Sequence, residues 1–372
     1  MRILFVGDYS NLHATLAEEL RRQGHTAHVL SDRCGYMDTH SDFYLKRDKG
    51  ITGAFKYLYD IFSILPSLKD YDVVQLINTN FLSLKPGKIK YFFDRIHEQN
   101  GSVFLTLAGD DYYFCKACLE GKIFRFSEFK TGEEFTEFHK ETPHRLYGWL
   151  SNSNKKWAEY LYDKIDGAHA VLPEYDMAAK ELLGDRLTFT NLPIDFSKLP
   201  TPVYNANYPI NIFVGMRSGM ELQKGTNKLW KLTQDFEKRF SEKVKAINVR
   251  DLPLKTYLEM MNQSHIVLDQ LYAYSPAMNA LYAMALGKIA GSGAQPEYYE
   301  YIGNPDIKPV FGLSPFDNDI EDRLEDLIEN PDKIIERGKL SRDLVLKNND
   351  TVIVTDRFLR HWKNILNKKN YN

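Results

Sequence analysis

Short apolar runs that alternate with polar loops and helical patterns constrain the fold of this chain most, and they are clearest between residues 211 and 297. Residues 212–215 and 266–268 are typical of buried strands in a parallel sheet, because such strands are covered on both faces. A polar loop follows the first strand, and the helical pattern 278–286 follows the second and stops at Gly287. The alternation predicts a nucleotide-binding α/β domain in which ligand groups lie at the carboxyl ends of strands.

The beginning of the chain shows the same alternation. Residues 3–6 and 26–30 read as strands, and a helix with one leucine-rich face lies between them at 12–22 and ends before Gly24. This is a βαβ unit. The loop after the first strand, residues 7–11, lacks the G-x-G-x-x-G fingerprint, so a nicotinamide or flavin dinucleotide is not expected.

One glycine and four polar residues lie just after three of the predicted strands of this first half. They are Gly7, Asp8, Asn78, Asp110 and Asp111. For Gly7, a tight turn and a wall beside a bound acceptor are equal alternatives. Asp110 and Asp111 stand where chemistry is common in α/β sheets, and either carboxylate can orient hydroxyl groups or take a proton. Aspartate also caps helices at this kind of junction, so we expect one of the two to cap and the other to be the functional candidate.

Two helical segments of the first half have an unusual composition. Residues 53–68 are rich in Tyr, Phe and Leu, and residues 85–97 carry Lys85, Lys88 and other basic residues. Core packing with a solvated basic face is the expected interpretation. A helix lying on a membrane surface is the alternative, and a lipid-linked acceptor would favour it.

Prolines and a change of pattern suggest the domain boundaries. Residues 115–149 show no clean period and read as an insertion with short helices, a candidate element for acceptor specificity. A proline-marked segment near residues 200–209 reads as the linker. We expect an N-terminal domain over 1–200 and a C-terminal domain over 205–350, with an amphipathic helix at about 352–372 packing back on the first.

Composition excludes several classes of function. A length of 372 residues suggests two domains, and a net charge of −2 argues against a nucleic-acid partner. Cys115 and Cys118 form a lone C-x-x-C without further ligands, so no metal site is expected. Sparse cysteines and the lack of a signal peptide or a long apolar stretch predict a cytoplasmic protein.

The second half resembles the GT-B glycosyltransferases, and in detail glycosyltransferase family four. Gly215-Met216-Arg217 matches the Gly-x-Arg loop of that family, and Lys224-Gly225-Thr226 matches the Lys-Gly at the start of a helix. The resemblance implies that Arg217 and Lys224 bind the diphosphate of a nucleotide sugar and stabilise its charge as the glycosidic bond breaks, without a metal.

The resemblance breaks at the two acidic positions of the family's Glu-x7-Glu motif, which are Tyr274 and Tyr282 here. A phenol forms fewer hydrogen bonds than a carboxylate, so ribose recognition would pass to Asn279, Glu297 or backbone groups. Arg250 would frame the nucleobase, and helix amides after Ser275 would hold a phosphate.

The resemblance implies an α/β GT-B protein with two Rossmann-like parallel-sheet domains facing a cleft. It implies transfer of a hexose from a nucleotide diphosphate sugar to a saccharide or lipid-linked acceptor. The anomeric configuration would be retained, and no metal or cofactor would be used. The reaction would belong to surface polysaccharide or glycoconjugate synthesis, with peripheral contact of the protein to the inner face of the membrane. Alternatives are a nucleotide-sugar-binding protein without activity and a sugar-nucleotide epimerase on the same fold. The implied site residues are, for catalysis, Arg217, Lys224, Asp110 and Asp111; for the donor, Gly215, Arg217, Lys224, Gly225, Arg250, Tyr274, Ser275, Asn279, Tyr282 and Glu297; and for the acceptor, Gly7, Asp8 and Asn78.

Overall fold

The computed structural model describes residues 1–32, 41–304 and 306–370. The chain divides into two compact units. The first consists of Met1–Ala117, His144–Pro193 and the stretch that starts at Thr351. The second consists of Cys118–Pro143 and Ile194–Asp350.

Strands and helices alternate along most of the described chain. The strands are β1 (Arg2–Val6), β2 (Thr26–Ser31), β3 (Phe43–Tyr44), β4 (Val73–Leu76), β5 (Ser102–Leu107), β6 (Lys130–Thr131), β7 (Glu134–Phe135), β8 (Gly167–Ala170), β9 (Leu187–Phe189), β10 (Ile210–Met216), β11 (Val244–Arg250), β12 (Ile266–Leu268), β13 (Ile289–Ser292) and β14 (Phe311–Gly312). The helices are α1 (Leu12–Arg22), α2 (Gly50–Ile64), α3 (Pro86–Glu98), α4 (Tyr112–Glu120), α5 (Glu137–Glu141), α6 (Pro143–Trp149), α7 (Asn152–Lys164), α8 (Pro173–Leu183), α9 (Glu221–Lys224), α10 (Thr226–Arg239), α11 (Leu254–Asn262), α12 (Met278–Ala285), α13 (Pro296–Tyr301), α14 (Ile320–Glu329), α15 (Asp332–Asn349) and α16 (Thr351–Asn370).

The first unit is built on a parallel sheet. Within the described residues the strand order is β3-β2-β1-β4-β5-β8-β9, and every neighbouring pair is parallel. The strand order reverses between β1 and β4, because the chain first builds outward from β1 to β2 and then returns to the other side of β1. That switch point is where open α/β sheets bind ligands, beyond the carboxyl ends of the strands.

The C-terminal helix α16 packs against this same sheet. Trp362 is fully buried, and its indole nitrogen Nε1 donates a hydrogen bond to Gln75 Oε1 at 3.0 Å. Its ring lies 6.2 Å from that of Phe5 and 6.4 Å from that of Phe104, which belong to β1 and β5. One apolar side chain of the helix thus contacts the middle of the sheet. This helix was predicted to reach residue 372, and residues 371–372 lie outside the described chain.

The second unit has a smaller parallel sheet. Its order in the described residues is β11-β10-β12-β13-β14, and all pairs are parallel. The switch point lies between β10 and β12, which are the two apolar runs from which the sequence analysis began. The predicted α/β class with two parallel sheets is confirmed.

Residues 118–143, which the sequence analysis placed within the 1–200 domain, belong to the second unit. They contain the antiparallel pair β6 and β7 and the short helix α5, whose first turn is capped by the Thr136 hydroxyl. The physical reason for their assignment is aromatic packing, since the rings of Phe124 and Phe126 both contact the ring of Tyr274. We call residues 118–143 the excursion segment.

Candidate functional site

The switch point of the second unit is surrounded by the loops that leave β10 and β12. The chain passes from β10 through residues 217–220 into α9, which ends at Lys224. Gly225 has φ +72°, and a Cβ atom there would lie 2.9 Å from Leu271 Cδ1. Because the Leu271 amide donates to the Lys224 carbonyl at 2.9 Å, this glycine turn holds Lys224 beside the loop that follows β12.

Lys224 faces a buried carboxylate. Its ammonium Nζ lies 3.2 Å from Asp269 Oδ1, and the Asp269 side chain is only 1% exposed. Asn279 Nδ2 donates to the same Oδ1 at 3.0 Å, and the Ser292 hydroxyl lies 3.4 Å from Oδ2. A buried carboxylate needs such donors, because an uncompensated charge is costly in the interior. Asp269 therefore positions the Lys224 ammonium and the Asn279 amide together at the carboxyl ends of β10, β12 and β13.

Asp269 was not predicted as a site residue. The signal was present, because it is the first polar residue after the buried strand β12, which is the rule that singled out Asp110. The resemblance to glycosyltransferase family four instead pointed to the Glu-x7-Glu motif, which begins five residues later at Tyr274. Asn279, for which the resemblance implies contact with the ribose, lies in the same cluster, and its role there stays a prediction. Its Oδ1 accepts a hydrogen bond from the Tyr257 hydroxyl at 2.7 Å while its amide nitrogen contacts Asp269.

Two glycines at this edge are required by packing. A Cβ atom at Gly215 would lie 1.8 Å from the Tyr257 hydroxyl oxygen, so Tyr257 crosses directly over the end of β10. A Cβ atom at Gly293 would lie 2.0 Å from the Ala273 carbonyl oxygen. The first close approach places Tyr257 of α11 against the end of β10, and the second brings the loops after β12 and β13 into contact.

The two arginines of the predicted donor site lie on the exposed part of the same edge. Arg217 is exposed in the loop after β10. Its charge helps to lower the pKa of Asp251, behind the larger effect of hydrogen bonds from Ser218. Arg250, predicted to frame a nucleobase, forms an ion pair with Glu221 at the start of α9.

The excursion segment covers two other predicted donor residues. Tyr274 is 2% exposed, its ring stacks on Phe126 with centroids 4.8 Å apart, and its hydroxyl accepts a hydrogen bond from the Arg125 amide. The Arg125 guanidinium binds Glu297 with both nitrogens, at 2.8 and 3.2 Å, and lies over the Tyr274 ring. Burial raises the pKa of Tyr274, so the phenol stays protonated. Both residues therefore contact residues 124–126 in this structure. No sequence signal marked Arg125 beyond its two phenylalanine neighbours.

The remaining donor candidates lie around the start and middle of α12. Ser275 precedes this helix and is fully buried, whereas Tyr282 on the helix is half-buried. The helix amides after Ser275 were predicted to hold a phosphate, and Tyr282 was predicted to occupy the second acidic position of the family motif. Both assignments stay predictions.

In the first unit, the predicted acceptor residues surround its own switch point. Asp8, directly after β1, accepts hydrogen bonds from the amides of His13 at 2.9 Å and Ala14 at 3.3 Å. Burial raises the pKa of Asp8 to about 6 in spite of these donors. Asn78, after β4, donates to the Ala108 carbonyl at 2.8 Å. Gly7 has φ +79°, and a Cβ atom there would lie 2.6 Å from the Phe81 carbonyl oxygen, which supports the tight-turn interpretation.

The two aspartates after β5 have different surroundings. Asp111 caps α4, because its Oδ1 accepts from the Phe114 amide at 2.8 Å, and its Oδ2 accepts from the Tyr162 hydroxyl at 2.7 Å. Asp110 is half-buried. Burial raises its pKa to about 6, although the positive charge of Arg145 lowers it in part. Asp111 is thus the capping residue, and Asp110 is the carboxyl group left as the functional candidate.

The raised pKa of Asp110 predicts a pH dependence of stability. The unfolded chain loses this proton near pH 4, whereas the native state keeps it up to about pH 6. Between these values the native state binds more protons, so the free energy of unfolding should fall as the pH rises. We expect Asp110→Asn to make this fall shallower, by at most about 1.4 kcal/mol per pH unit, the full slope for one proton. Urea denaturation at a series of pH values measures the difference.

Asp185→Asn is the matched control, because Asp185 is exposed in the same unit. It should leave the pH slope of the parent chain unchanged. An Asp110→Asn protein with the same slope as the parent would show that Asp110 does not retain its proton in the native state.

Among residues 1–32, 41–304 and 306–370, no group of three or more His, Cys, Asp or Glu side chains is arranged to hold a metal ion. In the same ranges no helix combines the length and the apolar character that crossing a bilayer requires.

Comparison with known proteins identifies the fold. No protein-family model matches the chain, and no curated protein sequence matches it. Solved structures do match over nearly the full length. Sucrose-phosphate synthase from Thermosynechococcus elongatus is 12% identical with a TM-score of 0.64, covering 99% of this chain and 100% of its own. HepE from Anabaena in complex with UDP-glucose is 12% identical with a TM-score of 0.61, covering 98% and 100%.

A third match comes from a plant protein. The catalytic domain of starch synthase IV from Arabidopsis thaliana, bound to ADP and acarbose, is 10% identical with a TM-score of 0.59, covering 99% of each chain. The three structures are similar to this chain across both units, so the chain has the GT-B fold that the sequence analysis predicted. At identities this low, the similarity shows the fold alone.

Proposed function

We propose that this protein is a glycosyltransferase that moves a hexose from a nucleotide diphosphate sugar to a saccharide or lipid-linked acceptor. The observation that carries the proposal is the cluster of Lys224, Asp269 and Asn279 at the switch point of the second sheet. Support comes from the full-length similarity to HepE in complex with UDP-glucose and to starch synthase IV bound to ADP and acarbose. A diphosphate needs a cation at the carboxyl ends of the strands, and Lys224 offers one there.

In the proposed mechanism Lys224 and Arg217 stabilise the charge that develops on the leaving diphosphate. Asp269 keeps the ammonium in place before the donor binds, so no reorganisation is needed during the reaction. Asn279 binds the ribose or the sugar through its amide. The proposed reaction uses no metal or further cofactor, because cationic side chains replace the metal at the diphosphate. Retention of configuration is proposed on the precedent of the family that the chain resembles.

On the acceptor side we propose that Asp110 binds or deprotonates the attacking hydroxyl. Its raised pKa of about 6 lies near neutral pH, which suits a group that exchanges protons. Asp8, Asn78 and the turn at Gly7 support this edge through the hydrogen bonds they make within the first unit. The pathway that we propose is synthesis of surface polysaccharide or another glycoconjugate.

A donor panel tests the function. The purified chain is incubated with UDP, GDP and ADP and with their hexose conjugates, and melting temperature and nucleotide release are recorded. We expect one nucleotide to raise the melting temperature, because a ligand that binds only the native state stabilises it. Its sugar conjugate should release nucleotide when a saccharide or lipid-linked acceptor is added. Absence of stabilisation by every nucleotide would contradict the proposal.

A second candidate is a protein that binds a nucleotide sugar without transferring it. It is favoured by a specific observation, since tyrosine occupies both acidic positions of the family motif and Glu297 is paired with Arg125. Stabilisation by a nucleotide without sugar release across the panel would support this candidate. A change in the donor that needs no acceptor would instead indicate an epimerase.

A further inference from the structure

Helix α2 carries a second apolar face that points away from the protein. Ile51, Phe55, Tyr59 and Phe62 are 77, 69, 73 and 48% exposed. Their spacing of three and four residues places them along one side of the helix. Four large apolar side chains in one exposed stripe differ from the scattered single residues that are common on protein surfaces.

The opposite side of the same helix is the one that packs. Gly53, Tyr57 and Ile61 are its buried residues. At about 100° per residue, this buried stripe lies on the far side from Phe55 and Phe62. An ordinary surface helix is polar where it faces water, so the outward apolar stripe of α2 is not explained by the core. Core packing was predicted for this segment, and in the structure only one face of the helix has that role.

The neighbouring helix α3 extends the stripe. The ring of Tyr91, 49% exposed, lies 5.9 Å from that of Phe62 in an edge-to-face contact. Helix α2 joins β3 to β4, and helix α3 joins β4 to β5. A helix that joins parallel strands runs antiparallel to them, so both helices begin at the edge of the sheet where the strands end. This is the edge that carries Asp8, Asn78 and Asp110.

The charges around the stripe are predominantly positive. Four acidic residues of the two helices and of the loop before α2 are each paired with a lysine or arginine of the same segment. These pairs are Lys46–Asp48, Lys56–Asp60, Lys90–Asp94 and Arg95–Glu98. Lys49, Lys85 and Lys88 are exposed, and within the described residues no ion pair neutralises them. The face formed by α2 and α3 therefore combines an apolar stripe with an excess of positive charge.

We propose that this face docks on the surface of an anionic phospholipid bilayer. Phe55, Tyr59 and their neighbours enter the boundary between headgroups and acyl chains, and Lys49, Lys85 and Lys88 contact the phosphates. Charge selects this occupant over a second copy of the chain, because a two-fold interface on this face would bring like charges together. The proposal deepens the proposed function by favouring a lipid-linked acceptor, although its test needs no catalysis.

Sedimentation with lipid vesicles tests the docking surface. The full chain is mixed with vesicles of phosphatidylcholine alone and of phosphatidylcholine with phosphatidylglycerol. We expect binding to the anionic vesicles that weakens with added salt. The double variant Phe55→Ser, Tyr59→Ser should bind at least tenfold more weakly, because each ring contributes buried apolar area. The variant Lys85→Gln, Lys88→Gln should lose about 30-fold on anionic vesicles, which corresponds to about 1 kcal/mol per lysine.

The matched control is Phe316→Ser with Leu340→Ser, which removes two exposed apolar side chains of the second unit. It should bind vesicles as the parent does. Failure of the parent chain to bind anionic vesicles would overturn the proposal. So would a dimer in analytical ultracentrifugation that the Phe55→Ser, Tyr59→Ser variant dissociates, since the face would then belong to a second copy. Nucleotide stabilisation in the donor panel is independent of either outcome and keeps the proposed function separately testable.

Discussion

Replacing Lys224 with alanine is expected to lower kcat/KM for sugar transfer by about 10²–10³-fold. The expected loss is that of removing one preorganised group that stabilises charge in the transition state, or about 3 kcal/mol. The Lys224 ammonium lies at the carboxyl ends of β10 and β12 and is held 3.2 Å from Asp269. Because the diphosphate gains charge as the glycosidic bond breaks, the loss should fall mainly on kcat. Initial rates at varied donor concentration measure it.

Lys228→Ala is the matched control for this experiment. Lys228 lies four residues further along, in the first turn of α10, is exposed, and contacts the Tyr272 hydroxyl at 3.0 Å. It should change kcat/KM less than twofold. Melting temperatures of both variants separate a loss of activity from a loss of fold, since Asp269 keeps its contacts with Asn279 and Ser292 when Lys224 is removed. If Lys224→Ala transferred sugar at the parent rate, the assignment of the diphosphate to this edge would be wrong.

The largest expected effect on stability is that of Trp362→Ala, at about 4 kcal/mol. The side chain is fully buried between α16 and the first sheet, with the rings of Phe5 and Phe104 as neighbours. Its removal therefore leaves a cavity beside these two rings. It also leaves the buried Gln75 Oε1 without the indole N–H, which adds a desolvation cost. Chemical denaturation followed by circular dichroism measures the change.

Two variants of the same helix serve as comparisons. Trp362→Phe keeps most of the ring volume and should cost less than half as much, the lost hydrogen bond being the main term. Val352→Ala removes an exposed side chain near the start of α16 and should lie within about 0.5 kcal/mol of the parent. An unchanged unfolding midpoint for Trp362→Ala would show that α16 does not contribute to the core of the first unit.

Local patterns were sufficient for the class of fold. Runs such as residues 212–215 and 266–268 are apolar on both faces, and such runs between polar loops are typical of buried strands in a parallel sheet. The order of the strands could not be predicted in this way. Strand β10 lies between β11 and β12 because of contacts between residues more than thirty positions apart, such as Val214 with Asn248. No property of β10 itself predicts these neighbours.

The site was predictable where its residues follow a strand and not where they come from a distant segment. The rule that ligand groups follow parallel strands pointed to Asp110, and the same rule applied to β12 would have found Asp269. Lys224 and Asn279 were predicted from the family resemblance. Nothing local could have placed Arg125 beside Glu297, because the two are 172 residues apart in the chain. The difference between Asp110 and Asp111 also needed the structure, since both precede the same helix and only Asp111 reaches an amide of its first turn.

The sequence by itself therefore determined the alternation of strands and helices and the α/β class. These depend on interactions among residues a few positions apart, which each segment carries in its own pattern. The tertiary structure alone decided that the excursion segment packs on the second unit and that Lys224 faces Asp269. It also decided that one face of α2 stays uncovered. Those outcomes depend on which surfaces meet in the folded chain. Burial and charge pairing between distant segments cannot be predicted from the residues of any single segment.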